Sequence, residues 1–328
     1  MATILELKEK IRVFYGKNEI FLAPLARFVL ALITLSVING NIGYMKALKN
    51  PMITIAIALI CGIFPSGATV LFVTLVIVGH LYAESMELAV VALLVFILMY
   101  LFYFHFTAKQ SAWVCVSLIC CVLGVPSIVP VAAGLLAGAF TCIPVIFGVI
   151  IFYLMNYAKE YINTAQAVVS NSEGSDMFDN FLTIVTGVMD REIVLYAISF
   201  ALTVVIVYVI RRLSIDYCWI YAIIAGCLTN FIMLLVGNSI FGTSISVGSM
   251  VVGLILSLVV GFVLMFLFFN VDYHRTERVQ YEDEEYYYYV KAVPKYCVPA
   301  KNVRVNKIHT TRKSSVDEDD FDEIEIDS

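Results

Sequence analysis

Charge is scarce in this sequence: 14% of its 328 residues are Asp, Glu, Lys or Arg, where an ordinary soluble domain carries about 25%. That shortage leaves too little polar surface for a water-solvated globule. Catalytic patterns are missing as well. There is no H-E-x-x-H, no G-x-S-x-G and no G-x-x-x-x-G-K-[ST], so the zinc-hydrolase, serine-hydrolase and P-loop arrangements are excluded, and the chain cannot hydrolyse ATP through a P-loop of its own. The eight cysteines form no C-x-x-C pair, and the four histidines form no cluster. Cys61, Cys115, Cys120, Cys121, Cys142, Cys218 and Cys227 all fall in apolar runs and read as small packing residues rather than ligands. No enzymatic activity, cofactor or metal is expected. No basic face large enough for nucleic acid is present.

What the sequence has instead is hydrophobic surface, at 61% of residues against roughly 45–50% for a soluble domain. An integral protein of the cell membrane is expected. The opening "MATILELKEKIRVFYGKNE" is polar and mixed in charge, unlike a cleavable signal or an Arg-rich transit peptide. Residues 1–19 therefore read as a cytoplasmic segment, and the first apolar stretch as a retained helix.

Ten apolar segments follow, at about 20–38, 52–64, 68–83, 87–106, 112–125, 128–141, 143–160, 193–210, 216–236 and 245–269. Four of them are shorter than the roughly 17 residues that a helix needs to cross a bilayer. The short ones come in two proline-interrupted pairs, around Pro65 and around Pro126 and Pro130. Each pair is either a tight hairpin of short helices or one kinked helix, because proline removes a backbone donor and clashes with the preceding turn.

"ALICGIFPSGATV" resembles "SLICCVLGVPSIVPV", and each pair precedes a long apolar helix. A short, short, long unit thus occurs twice and predicts an inverted repeat, as in many secondary transporters. The expected fold is an all-α polytopic membrane protein of about 8–10 transmembrane helices, with the two broken pairs and a small cytoplasmic β-hairpin tail. With the N-terminus inside, Lys8, Lys10, Arg12, Lys17, Arg211, Arg212 and the basic tail are cytoplasmic. Lys46, Lys49 and Lys159 are the exceptions. Residues 161–191 read as an extracytoplasmic loop carrying a short amphipathic helix.

Few polar groups lie within the apolar segments, and these are the candidates for a pathway. They are the broken segments at Pro65, Ser66, Gly67, Pro126 and Pro130, the group His80, Glu84 and Glu87 in "GHLYAESMEL", and Asn230 in "GCLTNFIML". His80 with Glu84 and Glu87 could respond to protons or cations, or be a solvated helix junction. Asn230 could line a route or join two helices by a hydrogen bond. Arg27 reads as a side chain reaching toward the headgroups. In the last segment Ser244, Gly248 and Gly253 belong to a small-residue stripe suited to close helix packing, including a homo-oligomer contact.

The net charge of −5 belongs to the tail, where residues 271–328 carry nine Lys/Arg and fourteen Asp/Glu. Residues 271–297 contain "RVQYEDEEYYYYVKAV", which reads as a hairpin with the acids 282–285 as its connection. Tyr281 then faces Tyr286, Val279 faces Tyr288, and Arg278 lies opposite Tyr289. Alternation places Val279, Tyr281, Tyr286, Tyr288, Val290 and Ala292 on one apolar face. A lone hairpin is marginal in water, so Val279, Tyr281, Tyr286, Tyr288 and Val290 are candidates for docking a cytosolic partner. Residues 298–328, basic and then acidic, read as disordered.

"RRLSIDYCW", "NGNIGYM" and "FNVDYHRTERVQYEDEEYYYYVKAVPK" resemble a family of uncharacterised multi-pass membrane proteins from clostridial-type Firmicutes, over residues 1 to about 297. Members are sometimes automatically labelled ABC transporter permease, but the resemblance identifies relatives without identifying a task and carries no residue roles. Two functions remain open: a transporter or permease of unknown substrate, and a membrane scaffold that docks a partner through its hairpin.

Overall fold

The computed structural model describes residues 2–106, 110–168, 191–243, 245–269 and 277–292. Among these residues the chain forms eleven α-helices and one two-stranded sheet. The helices are α1 Ala2–Lys17, α2 Glu19–Ile42, α3 Pro51–Ile63, α4 Ser66–Tyr82, α5 Met86–Phe106, α6 Ala112–Val122, α7 Ile128–Leu136, α8 Cys142–Val168, α9 Arg191–Arg211, α10 Cys218–Phe241 and α11 Val247–Phe268. Five of them, α2, α8, α9, α10 and α11, are long and apolar enough to cross a membrane. That is the make-up of a multi-pass membrane protein.

Each of the ten apolar segments is one helix, so both proline-interrupted stretches are hairpins of separate short helices. At the first break Phe64 turns extended (ψ 161°) and Pro65 stands as the N-cap of α4. At the second, α6 closes with a Schellman motif, in which Val125 N–H donates to Cys120 O and Gly124 N–H to Cys121 O. Gly124 takes φ +76° there, which a residue without Cβ adopts freely. Pro130 lies in the first turn of α7, where its missing donor leaves no hydrogen bond unmade.

The N-terminal segment is helical rather than merely polar, as α1. Helix α8 continues through residues 161–168, so the start of the expected 161–191 loop is an extension of this helix. The expected amphipathic helix falls at 169–190, outside the described residues. The 298–328 tail lies outside them too.

Two groups of helices share the interior. Leu35, Ile38, Ile77, Leu88, Leu118, Ile151 and Leu154 belong to one large core from α2–α6 and α8. Val131, Leu135, Val207, Ala222, Ile223 and Cys227 form a second from α7, α9 and α10. The two meet where Cys121, Val129, Ala133, Val145, Val149, Phe200 and Val204 pack together. The seven cysteines at 61, 115, 120, 121, 142, 218 and 227 are free thiols, and all but Cys120 and Cys142 are buried. Cys297 lies outside the described residues.

Cations tie off the ends of helices. The last carbonyls of a helix lack intrahelical donors and carry partial negative charge. Lys8 Nζ donates to Phe266 O and Phe269 O at the end of α11, at 2.6 and 2.8 Å. Arg27 Nη1 donates to Phe64 O at the end of α3, at 2.7 Å. Arg211 donates to Leu135 O and Ala137 O at the end of α7. Arg191 donates to Phe241 O at the end of α10. Arg27 thus does more than reach for headgroups: it completes the corner at Pro65.

Strands β1 Glu277–Glu282 and β2 Tyr287–Ala292 pair antiparallel, with Val279 opposite Val290, Tyr281 opposite Tyr288 and Glu282 opposite Tyr287. The expected pairing of Tyr281 with Tyr286 and Val279 with Tyr288 is therefore corrected by two residues. Glu282 belongs to the strand, and the connection is Asp283–Tyr286. Its reason is local: Asp283 N–H donates to Tyr286 O, and the Asp283 carboxylate accepts from Glu284 N–H at 2.8 Å, tightening the turn around Glu284 and Glu285. Because sheet faces alternate with period two, a two-residue slip leaves every side chain on its expected face. Arg278 lies opposite Lys291 and Gln280 opposite Tyr289, so Arg278 is not the cross-strand partner of Tyr289.

Candidate functional site

The hairpin of α6 and α7 is too short for its neighbours. With 11 and 9 residues, its arms are about 17 and 14 Å long, against about 40 Å for the 27-residue α8. Arg211 fixes the lower end of α7 near the start of α8, so the tip at Gly124 and Pro126 stops part-way up the bundle. A cavity of about 240 Å³ lies over this tip, between the two groups of helices.

Aromatic rings wall it. Phe152 and Tyr153 come from the middle of α8 and Tyr196 from the second turn of α9, with Ser249 of α11 at the rim. The Tyr153 and Tyr196 ring centroids are 6.0 Å apart at 41°, and Phe152 meets Tyr153 edge-on at 5.4 Å. A tyrosine hydroxyl in an apolar helix needs a partner. Tyr153 finds one by donating to Glu192 Oε2 at 2.9 Å. Glu192 occupies the first turn of α9, where a carboxylate also suits the helix N-terminus. Pro126 is the expected pathway residue that lines this cavity. Tyr153, Tyr196 and Glu192 were not anticipated; the mid-helix tyrosines of "IFYLMNY" and "EIVLYAI" were the available signal.

Other expected site residues gather elsewhere. His80 is fully buried. Its Nδ1 accepts from Met45 N–H at 3.1 Å, which leaves Nε2–H to donate to Asn39 Oδ1 at 2.8 Å. Asn39 Nδ2 in turn donates to Leu48 O and Thr54 Oγ1. The ring is thus a neutral clasp joining α2, the 43–50 loop, α3 and α4, and a proton on Nδ1 would displace the Met45 bond. Replacing Asn39 by Leu orphans these partners and is expected to lower stability by about 2 kcal/mol, measured by unfolding in detergent. An unchanged midpoint would show the clasp to be dispensable.

Glu84 and Glu87 do not join His80 in one polar group. Glu87 instead accepts from Tyr161 of α8 at 3.4 Å. Lys159, one of the charge exceptions, donates to Asn41 Oδ1 at 2.7 Å. Asn230 is buried and accepts from Ser199 Oγ at 2.8 Å, joining α10 to α9. Pro65 and Gly67 flank the α3–α4 corner, where Arg27, Ser66, Thr69 and the buried Ser111 surround a void of about 20 Å³. That is room for one water, which suits Ser111 Oγ, unpartnered among the described residues. Pro130 is buried in α7.

In α11, Gly253 is used within the chain: a Cβ there would stand 2.9 Å from Ser127 Oγ. Gly248 faces open space, and Ser244 lies outside the described residues. On the hairpin, Tyr281, Tyr286, Tyr288 and Val290 are exposed, and Val279 is half-buried. Tyr286 and Tyr288 stack at 6.2 Å on the shared face. Among the described residues no group of three metal-ligating side chains comes together. No family model matches the chain, and no curated protein and no solved structure matches it either.

Proposed function

We propose that the chain is a permease-like membrane transporter, acting without chemistry on its substrate, and that the substrate route passes the cavity over the α6–α7 tip. The observation that carries this reading is the cavity's position, at a proline-broken hairpin between two separately packed helix groups. Short, broken helices line the binding sites of many secondary transporters. Helix order supports the inverted repeat. The end of α3 and the start of α6 both lie beside Arg27, so the two short, short, long units, α3–α5 and α6–α8, begin at opposite ends.

Sidedness follows in the same proposal. Lys8 joins the N-terminal helix to the end of α11, which supports placing α1 and the end of α11 on one side. Trp219 stacks on Phe269 and lies beneath Arg211, adding the α9–α10 corner to that side. Its cation content favours the cytoplasm. A C-terminal alkaline phosphatase fusion should be inactive, and an active one would reverse the orientation.

The transport reading is tested at Cys121, which lines the cavity, with the remaining cysteines replaced by alanine or serine. A transporter exposes the site alternately, so membrane-impermeant maleimides should label Cys121 from either side of sealed vesicles. Labelling from one side only, under all conditions, would favour the second reading. That reading is a scaffold docking a cytosolic protein on Tyr281, Tyr286, Tyr288 and Val290, and the exposure of those residues is what supports it.

A further inference from the structure

The cavity over the α6–α7 tip has a chemical bias, and we infer that it takes a small organic cation of the alkylammonium class. This deepens the transport reading by naming its substrate class. The argument begins with size. At about 240 Å³ the cavity is below the roughly 300–1,000 Å³ of sites for drug-sized ligands, so the occupant is small.

The walls then select its charge. Three aromatic rings line the space, two of them tyrosines set at 41° to each other as a wedge. Such faces carry negative quadrupole potential and attract ammonium groups, most strongly when water is excluded. Phe152, edge-on to Tyr153 at 5.4 Å, is the third aromatic ring that lines the space. The Tyr153 hydroxyl is already committed to Glu192 Oε2, which brings a carboxylate to the edge of the aromatic wall. No Lys, Arg or His lines the cavity among the described residues. The nearby Arg191 donates to the Phe241 carbonyl.

An anion would find less. Three helices, α7, α9 and α11, begin close to the cavity, and free N–H groups at a helix start favour anions. Several of these donors are engaged, as Ile128 N–H donates to Val125 O, Val129 N–H to Pro126 O and Ser249 N–H to Ser246 Oγ, and the first turn of α9 carries the Glu192 carboxylate, which repels an anion. The polar atoms that remain are mainly hydroxyls, whose oxygens serve a primary or hydroxylated ammonium as acceptors. Aliphatic surface from Val149 and Pro126 suits the alkyl groups.

The test uses the full chain in detergent and radiolabelled choline in equilibrium dialysis. Saturable binding of one choline per chain is expected. The uncharged isostere 3,3-dimethyl-1-butanol should compete at least about tenfold more weakly, because it fills the same volume without the charge that the rings attract. Glu192→Gln and Tyr196→Leu should each weaken binding about tenfold, while Tyr196→Phe, which keeps the ring, should change it less than about threefold. Each variant is compared at an unchanged thermal unfolding midpoint, and Glu192→Gln, at a half-buried surface position, guards against loss by misfolding. Equal competition by the neutral isostere would overturn the inference in favour of a plain apolar pocket. Displacement by isethionate but not by tetramethylammonium would overturn it in favour of an anion site. Absence of saturable choline binding to the folded wild type would overturn it outright. Saturable, cation-selective binding together with one-sided labelling of Cys121 would keep the site and remove transport, so the two readings fail separately.

Discussion

Gly148→Leu is expected to destabilise the helical core by about 3 kcal/mol. Gly148 lies in α8 directly against α6. A Cβ there would press into the Ser117 side chain and stand 2.7 Å from the Val114 carbonyl oxygen. The serine cannot turn away freely, because its hydroxyl donates to Val145 O at 2.8 Å. The carbonyl belongs to the helix backbone and cannot move alone. Even alanine must therefore push α6 outward, and leucine must separate the two helices. Overpacking of this kind costs about 1–3 kcal/mol, occasionally more, and the loss of the Ser117 bond adds about 1 kcal/mol. A destabilisation of about 3 kcal/mol is expected, read as denaturant unfolding in detergent micelles. Gly40→Leu is the matched control. Gly40 is also helical, in α2, but nothing lies within 4 Å of its would-be Cβ, so the change should be neutral or stabilise by up to about 1 kcal/mol. Equal effects at the two positions would refute the close approach of α6 and α8.

Arg211→Met should cost a comparable amount, about 3 kcal/mol. The guanidinium donates to two carbonyls at the end of α7, Leu135 O and Ala137 O. It also lies over the Tyr208 and Trp219 rings, at 5.6 and 5.8 Å to their centroids. Methionine keeps the stem but leaves both carbonyls without that donor, and a hydrogen bond to a charged group is worth about 1.5–3 kcal/mol. Because α7 has only 9 residues, it has little helical stability of its own to compensate. The expected consequence is a loosened hairpin, visible as faster hydrogen exchange of the α7 amides. Arg211→Lys should recover only part of the loss, since an ammonium keeps the charge but not the planar fork that lies over the Tyr208 and Trp219 rings while it donates to both carbonyls. The adjacent Arg212 is the contrast: its partner is the Tyr208 hydroxyl at an exposed site, so Arg212→Met should cost under about 1 kcal/mol. Parity between Arg211→Met and Arg212→Met would show that the caps on α7 contribute nothing.

The division of the chain into helices was legible because hydrophobic runs and proline punctuation are local signals. Pro65 and Pro126 each mark a real corner, and Gly124 supplies the left-handed residue that closes α6. Composition alone left open whether each pair bends or breaks. What decides it is tertiary: Arg27 and Arg211, distant in sequence from the carbonyls they serve, make a clean helix end affordable in an apolar setting. The hairpin shows the converse. Its faces were legible from alternation, but its register was not, because a run of four acids looks like a loop. Asp283 instead uses its carboxylate to tighten the turn, and Glu282 extends the strand. The candidate site was legible only at Pro126. Tyr153 and Glu192 are 39 residues apart, and no spacing rule joins them. For His80 the sequence left two readings open, and the partners that bond both ring nitrogens, Met45 N–H and Asn39 Oδ1, are distant in sequence, so no local pattern announces them.

The helix-capping cations carry a consequence for biogenesis. Lys and Arg near helix ends weigh on the orientation a chain takes during insertion, and in the finished fold Arg27 and Arg211 also donate to the carbonyls that end α3 and α7. Orientation during synthesis and closure of the short helices after it therefore depend on the same side chains. A substitution that removes one of them erases an address label and a fastener together, so misoriented and misfolded molecules are expected to arise from the same lesions.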